Sequence, residues 1–167
     1  MGGTTARQEE QTVYFRSPTK GLMDKSQVFA DIEQAVSWMP GAYEIVVGTD
    51  SQVRHRHTSF VIAISVIRTG SGGTFFYYRF QEQRITSLQQ RVYMEAFHSV
   101  CLAAELREYL KDRMLSIPIR LHFDIGHNGP THKYVKRLMQ LAKANDFEAH
   151  VKPDSFGAST IADKFTK

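Results

Sequence analysis

Apolar positions recur along this chain with two different periods, and the switches between them mark its elements. Residues 1–12 are polar, Gly/Thr-rich and without period, and read as a disordered leader to a single domain over 13–167. From Asp24, the steps Val28, Ile32, Val36, Met39 make an amphipathic helix that Pro40-Gly41 ends. A short apolar run then finishes in polar residues, Tyr43 to Asp50, the pattern of a buried central strand. Phe60 to Ile67 is a second strand, joined through Arg68-Thr69-Gly70-Ser71-Gly72-Gly73 to a third, Thr74 to Phe80; the Gly-rich link predicts a hairpin. Helical spacing returns from about Ser87 to Arg113. Pro118 precedes a fourth strand, Ile119 to Asp124. Gly126 to Pro130 opens a helix to about Asn145, with Pro130 suited to its first turn. Glu148 to Lys152 is a fifth strand, and a short helix is expected from about Ala158 to the C-terminus. A hairpin followed by helical crossovers predicts an α/β domain: a mixed five-stranded sheet flanked by helices.

Composition narrows the classes without choosing a function. With 167 residues, 42% of them hydrophobic, the chain can bury one core without disulfides or a structural metal. No stretch approaches the roughly 18 apolar residues of a membrane span, and residues 1–12 hold no signal-peptide core, so a cytoplasmic protein without membrane contact is expected. One cysteine, Cys101, builds neither a disulfide nor a Cys-based zinc site; among Val100, Leu102 and Ala103 it reads as a buried packing residue. The net charge of +4 is mild, but its distribution is uneven. Six arginines and one acid, Glu82, lie between Ser51 and Met94, and Lys133, Lys136, Arg137 and Lys143 follow Ile125 with no acid before Asn145. Such segments form either a phosphate-binding footprint or ordinary solvated surface.

Three acids stand out by position. Asp50 ends the first of these strands and Asp124 the fourth. Were the two strands parallel neighbours, their ends would lie about 4.8 Å apart, and the two carboxylates would repel unless a hard divalent cation, Mg²⁺ or Mn²⁺, removed the penalty. Glu95 falls on the inward stripe of the long helix, Leu88, Val92, Glu95, Ser99, Leu102, Leu106. A carboxylate facing a sheet needs a partner. For Glu95 alone an arginine such as Arg120 would do; for the three acids together a metal accounts better.

These residues in this element order resemble the ribonuclease H fold. More narrowly, Val47-Gly48-Thr49-Asp50-Ser51-Gln52, His122-Phe123-Asp124-Ile125-Gly126 and Val151-Lys152-Pro153-Asp154-Ser155 resemble the YkuK-like bacterial family, described as ribonuclease H-like. The resemblance implies a two-metal site built from Asp50, Glu95, Asp124 and a last acid on the C-terminal helix. Ala162-Asp163-Lys164-Phe165 stands where that acid is carried, so Asp163 is the expected fourth ligand. Asp154 takes the place of the family's mobile-loop histidine and reads as a turn or cap residue. The implied activity is metal-dependent hydrolysis of phosphodiester bonds in RNA, RNA–DNA hybrid or DNA, one ion activating water and the other stabilising the leaving oxygen. The alternative is a non-catalytic nucleic-acid-binding or regulatory module that keeps the fold.

Several other side chains border this chemistry. Arg54 and Arg56, with His55 and His57, lie in a turn just beyond Asp50, and Lys133, Lys136 and Arg137 fall on the outer face of the helix after Pro130; all are candidates for nucleic-acid phosphates. His98 and His122 either border the acids or are hydrogen-bonded structural histidines. The run Phe75 to Phe80 either stacks on bases or packs inside the protein. A zinc site is not expected, because four N/S ligands do not converge. A sugar-kinase-like phosphotransferase is excluded for want of a Gly-rich phosphate turn after Asp50 and of length for a second domain.

Overall fold

A computed structural model describes residues 12–152. The described residues form a seven-stranded mixed sheet: β1 (Tyr14–Ser17), β2 (Gly21–Asp24), β3 (Tyr43–Val53), β4 (His57–Arg68), β5 (Gly72–Gln83), β6 (Ile119–Gly126) and β7 (Glu148–Lys152). The order across the sheet is β2-β1-β5-β4-β3-β6-β7. Pairing is antiparallel from β2 to β3, and parallel between β3 and β6 and between β6 and β7. The strands expected from periodicity are all present, so the α/β mixed sheet stands. The strand count is corrected from five to seven. The addition is the β1–β2 hairpin, whose four-residue strands are too short to show a period; it holds because Phe15 and Met23 enter the main core.

Three helices complete the described fold: α1 (Lys25–Trp38), α2 (Leu88–Asp112) and α3 (Val135–Ala144). Asp24 caps α1 in a reciprocal pairing with Gln27, and the Ser87 hydroxyl accepts from the Gln90 amide at 3.2 Å to start α2. The helices share one apolar core with Ile45 and Val47 of β3, Ile62, Ile64 and Val66 of β4, Phe76 of β5 and Leu121 and Phe123 of β6. Residues of opposite parity, Val46, Val61 and Ala63, form a small second cluster with Tyr77. The β4–β5 hairpin forms as its Gly-rich link predicts, with Gly70 and Gly72 at φ of +78° and +75°, where a side chain would be strained.

Two local expectations are corrected. Pro130 does not open α3. A turn and a short 3₁₀ segment, His132–Tyr134, intervene, so the helix starts at Val135. Cys101 is exposed, not buried: α2 turns Ser99, Ala103 and Leu106 inward, and position 101 falls on the other side. Of the aromatic strand, Phe76 is buried and Phe80 stacks on Phe60 at 5.1 Å, while Phe75, Tyr77 and Tyr78 are partly exposed.

Candidate functional site

β3 and β6 are parallel neighbours separated in the chain by β4, β5 and α2, with Thr49 opposite Phe123, so Asp50 and Asp124 occupy the next step of the register. Asp50 does not end its strand. β3 runs on to Val53, paired with β4 through Val53 and Thr58, and only the parallel pairing with β6 stops there. Asp124 lies on an irregular stretch. Between His122 and Gly126 the register against β7 shifts, because two steps along β7 span four along β6. Such a bulge bends the strand and re-aims its side chains beside a site.

α2 lies across β3 and is pinned there by two hydroxyl contacts. The buried Thr49 and Ser99 hydroxyls meet at 2.7 Å, and the Ser51 hydroxyl donates to Glu95 Oε1. Asp50 sits between those two residues of β3 and is itself buried. Glu95 is half-buried, and its carboxyl is pushed up to about 8. Burial is the main cause and the Asp50 and Asp124 charges add to it; the Ser51 hydrogen bond and the Arg91 charge oppose it. Arg120 does not neutralise Glu95: it pairs with Glu44 at 3.1 Å and Glu148 at 3.4 Å. Asp124 accepts from Lys152 Nζ at 2.7 Å, across the shifted β6–β7 edge.

This donor set fits a divalent cation in its chemistry. The Asp50 and Asp124 charges act on Glu95, which burial above all keeps protonated near neutral pH. As placed, no three His, Cys, Asp or Glu side chains among the described residues stand close enough to enclose an ion. Glu95 is turned to Ser51 and Asp124 to Lys152. Asp163 and Asp154 lie outside the described residues.

The basic candidates border the same end of the sheet. Arg54 and Arg56 are exposed at the β3–β4 turn, where the Arg54 amide bonds to His57 O at 2.8 Å and its carbonyl accepts from Arg84 Nε at 3.1 Å. Lys133, Lys136 and Arg137 are exposed just beyond β6, opposite the buried Val135, Leu138 and Ala142. The histidines divide. His98 packs edge-on against Phe80 at 4.7 Å, and burial lowers its pKa. His122 is buried beside His150, their rings 5.8 Å apart. Sequence reasoning missed Ser51, Arg91 and Lys152. Arg91 was readable as the residue one turn before Glu95, but Lys152 meets Asp124 only through sheet pairing.

Residues 27–167 match the family model described as Ribonuclease H-like. This chain belongs to the ribonuclease H-like family. It is 30% identical over 138 residues to Uncharacterized protein YkuK of Bacillus subtilis (strain 168), across 75% of this chain and 80% of that protein. Among solved structures, this ribonuclease H-like chain is similar to the N-terminal RNase H domain of rv2228c from Mycobacterium tuberculosis, solved as a fusion with maltose binding protein. That likeness has a TM-score of 0.39 and 12% identity, covering 75% of this chain and 94% of that one. No described helix is long and apolar enough to cross a membrane.

Proposed function

We propose that this ribonuclease H-like protein is a divalent-metal-dependent nuclease acting on RNA, RNA–DNA hybrid or DNA. The observation that carries the reading is that Glu95 of α2 feels the charges of Asp50 on β3 and Asp124 on β6, its carboxyl pushed up to about 8 by burial first and by those two acids. The Ser51 hydroxyl holds the Glu95 carboxyl in that position. Asp50, Glu95, Asp124 and Asp163 would hold Mg²⁺ or Mn²⁺. When bound, the ions supply a water nucleophile at neutral pH and stabilise the leaving oxygen. Ser51 orients Glu95. Arg54 and Arg56 on one side and Lys133, Lys136 and Arg137 on the other bind backbone phosphates and set the strand across the acids.

A second reading draws on the Lys152–Asp124 ion pair. An ammonium already partners one of the acids, as it would in a nucleic-acid-binding module that works without metal. Cleavage of labelled RNA–DNA hybrid, duplex RNA, single-stranded RNA and DNA in Mg²⁺, Mn²⁺ or EDTA separates the two. Metal-dependent cleavage that disappears in Asp50→Asn is the expected result. Binding in EDTA with no cleavage of any substrate selects the module.

A further inference from the structure

We propose that a groove at the opposite end of the sheet binds a nucleobase carrying a phosphate, as a free mononucleotide or as the end of a single strand. The groove measures about 730 Å³ and lies between the last turn of α1, the start of β3 and the β4–β5 turn. Its volume is within the range of small-ligand sites, about 300–1,000 Å³. Tyr43, on its wall, is seven residues before Asp50 on an extended strand, about 23 Å away, so the groove is not part of the acid site.

Two features define what it would hold. Trp38, the one tryptophan in the chain, lines the groove and is 77% exposed, followed by the 47% exposed Met39. A broad, rigid ring left open in a concave site is a stacking surface for a flat heterocycle. Arg68 supplies the charge. Its guanidinium is fixed by Pro40 O at 2.7 Å and Ser71 Oγ at 3.2 Å, both neutral acceptors, and it makes no ion pair among the described residues. A Cβ at Gly41 would come within 2.7 Å of Arg68 Nε, so the glycine is what lets the arginine lie in this pose. The other cation of the groove, Lys20, is already paired with Asp31. One stacking ring beside one oriented, uncompensated guanidinium matches one base with one phosphate.

The lone tryptophan makes the test direct. Trp38 fluorescence is titrated in EDTA with adenosine 5′-monophosphate, adenosine, and single-stranded oligothymidylate with and without a 5′-phosphate. Saturable quenching by the monophosphate or the phosphorylated strand is expected, with adenosine about tenfold weaker. Arg68→Gln should weaken the phosphorylated ligand by about tenfold and leave adenosine unchanged, while Asp50→Asn should change neither. Response to the strand alone assigns the site to chain ends, and response to the monophosphate assigns it to free nucleotide. Should Arg68→Gln fail to fold, Trp38→Ala, at an exposed position, is read by calorimetry and should abolish binding. No quenching by any ligand, equal quenching by adenosine, or full affinity in Arg68→Gln or Trp38→Ala overturns the proposal. Because the titration needs no metal and no cleavage, its failure is separate from any failure of the nuclease reading.

Discussion

Glu95 is the residue whose energetics depart most from a structural role. In the unfolded chain its carboxyl ionises near 4.5; in the fold it does so near 8. Between those values the folded chain keeps a proton that the unfolded chain has released, so the contribution of Glu95 to stability is most favourable below 4.5, falls as pH rises towards 8, and stays low above. Glu95→Gln removes the penalty. Its Tm should exceed that of the wild type by roughly 3 °C or more above pH 8 and match it at acid pH, in thermal melts across that window. A Tm gain of equal size at every pH would show that ionisation of Glu95 is not the source. The position was legible because a charged residue interrupts the four-and-three stripe of α2. Its partner Ser51 was not, since a hydroxyl beside Asp50 reads only as the next residue of a strand.

At the scale of elements, α2 is held on β3 by the buried Thr49–Ser99 hydroxyl pair one residue from Asp50. Thr49→Val should cost about 1–3 kcal/mol by stranding the Ser99 hydroxyl, whereas Thr49→Val with Ser99→Ala should cost much less. Urea unfolding of the two singles and the double gives the coupling directly; additive losses would show that the hydroxyls do not act as a pair. The β1–β2 hairpin depends on what it covers. Phe15 is 1% exposed and lies 5.6 Å from the Tyr78 ring. Phe15→Ala should destabilise the protein by about 3–5 kcal/mol in the same measurement, and a loss under about 1 kcal/mol would mean that the hairpin is an ornament to the core. Four-residue strands hold too few positions to display alternation, which is why this hairpin escaped the pattern that revealed β3 to β7. α3 shows the converse: its apolar face was readable, but its start was not. Pro130 is compatible with a first turn and equally with the loop that it occupies.

Over the whole molecule, charge and concavity separate towards the two ends of the sheet. The acids, the β3–β4 turn arginines and the basic face of α3 share one end, and the Trp38 groove lies at the other. Nucleic-acid affinity in EDTA should therefore fall steeply with salt. Replacing Arg54 and Arg56 together with alanine should reduce the slope of log affinity against log salt by about 1–2, as counterion release requires for two lost phosphate contacts. Binding by filter retention or anisotropy over a salt series measures it, and an unchanged slope would remove the turn from the interface.

The sequence by itself determined the order of elements from α1 to β7, the inward stripe of α2, the polar finish of two apolar strands and hence three acids worth suspecting. Those are local properties: periodicity and turn chemistry are written into neighbouring residues and survive whatever the rest of the chain does. Tertiary structure alone decided that β1 and β2 extend the sheet, that Asp124 lies on a shifted register facing Lys152, that Arg120 is engaged by Glu44 and Glu148, and that Trp38 stays open beside Arg68. Each depends on which distant strands pair and in what register, and a shift along a strand changes every contact while leaving the pattern of residues untouched.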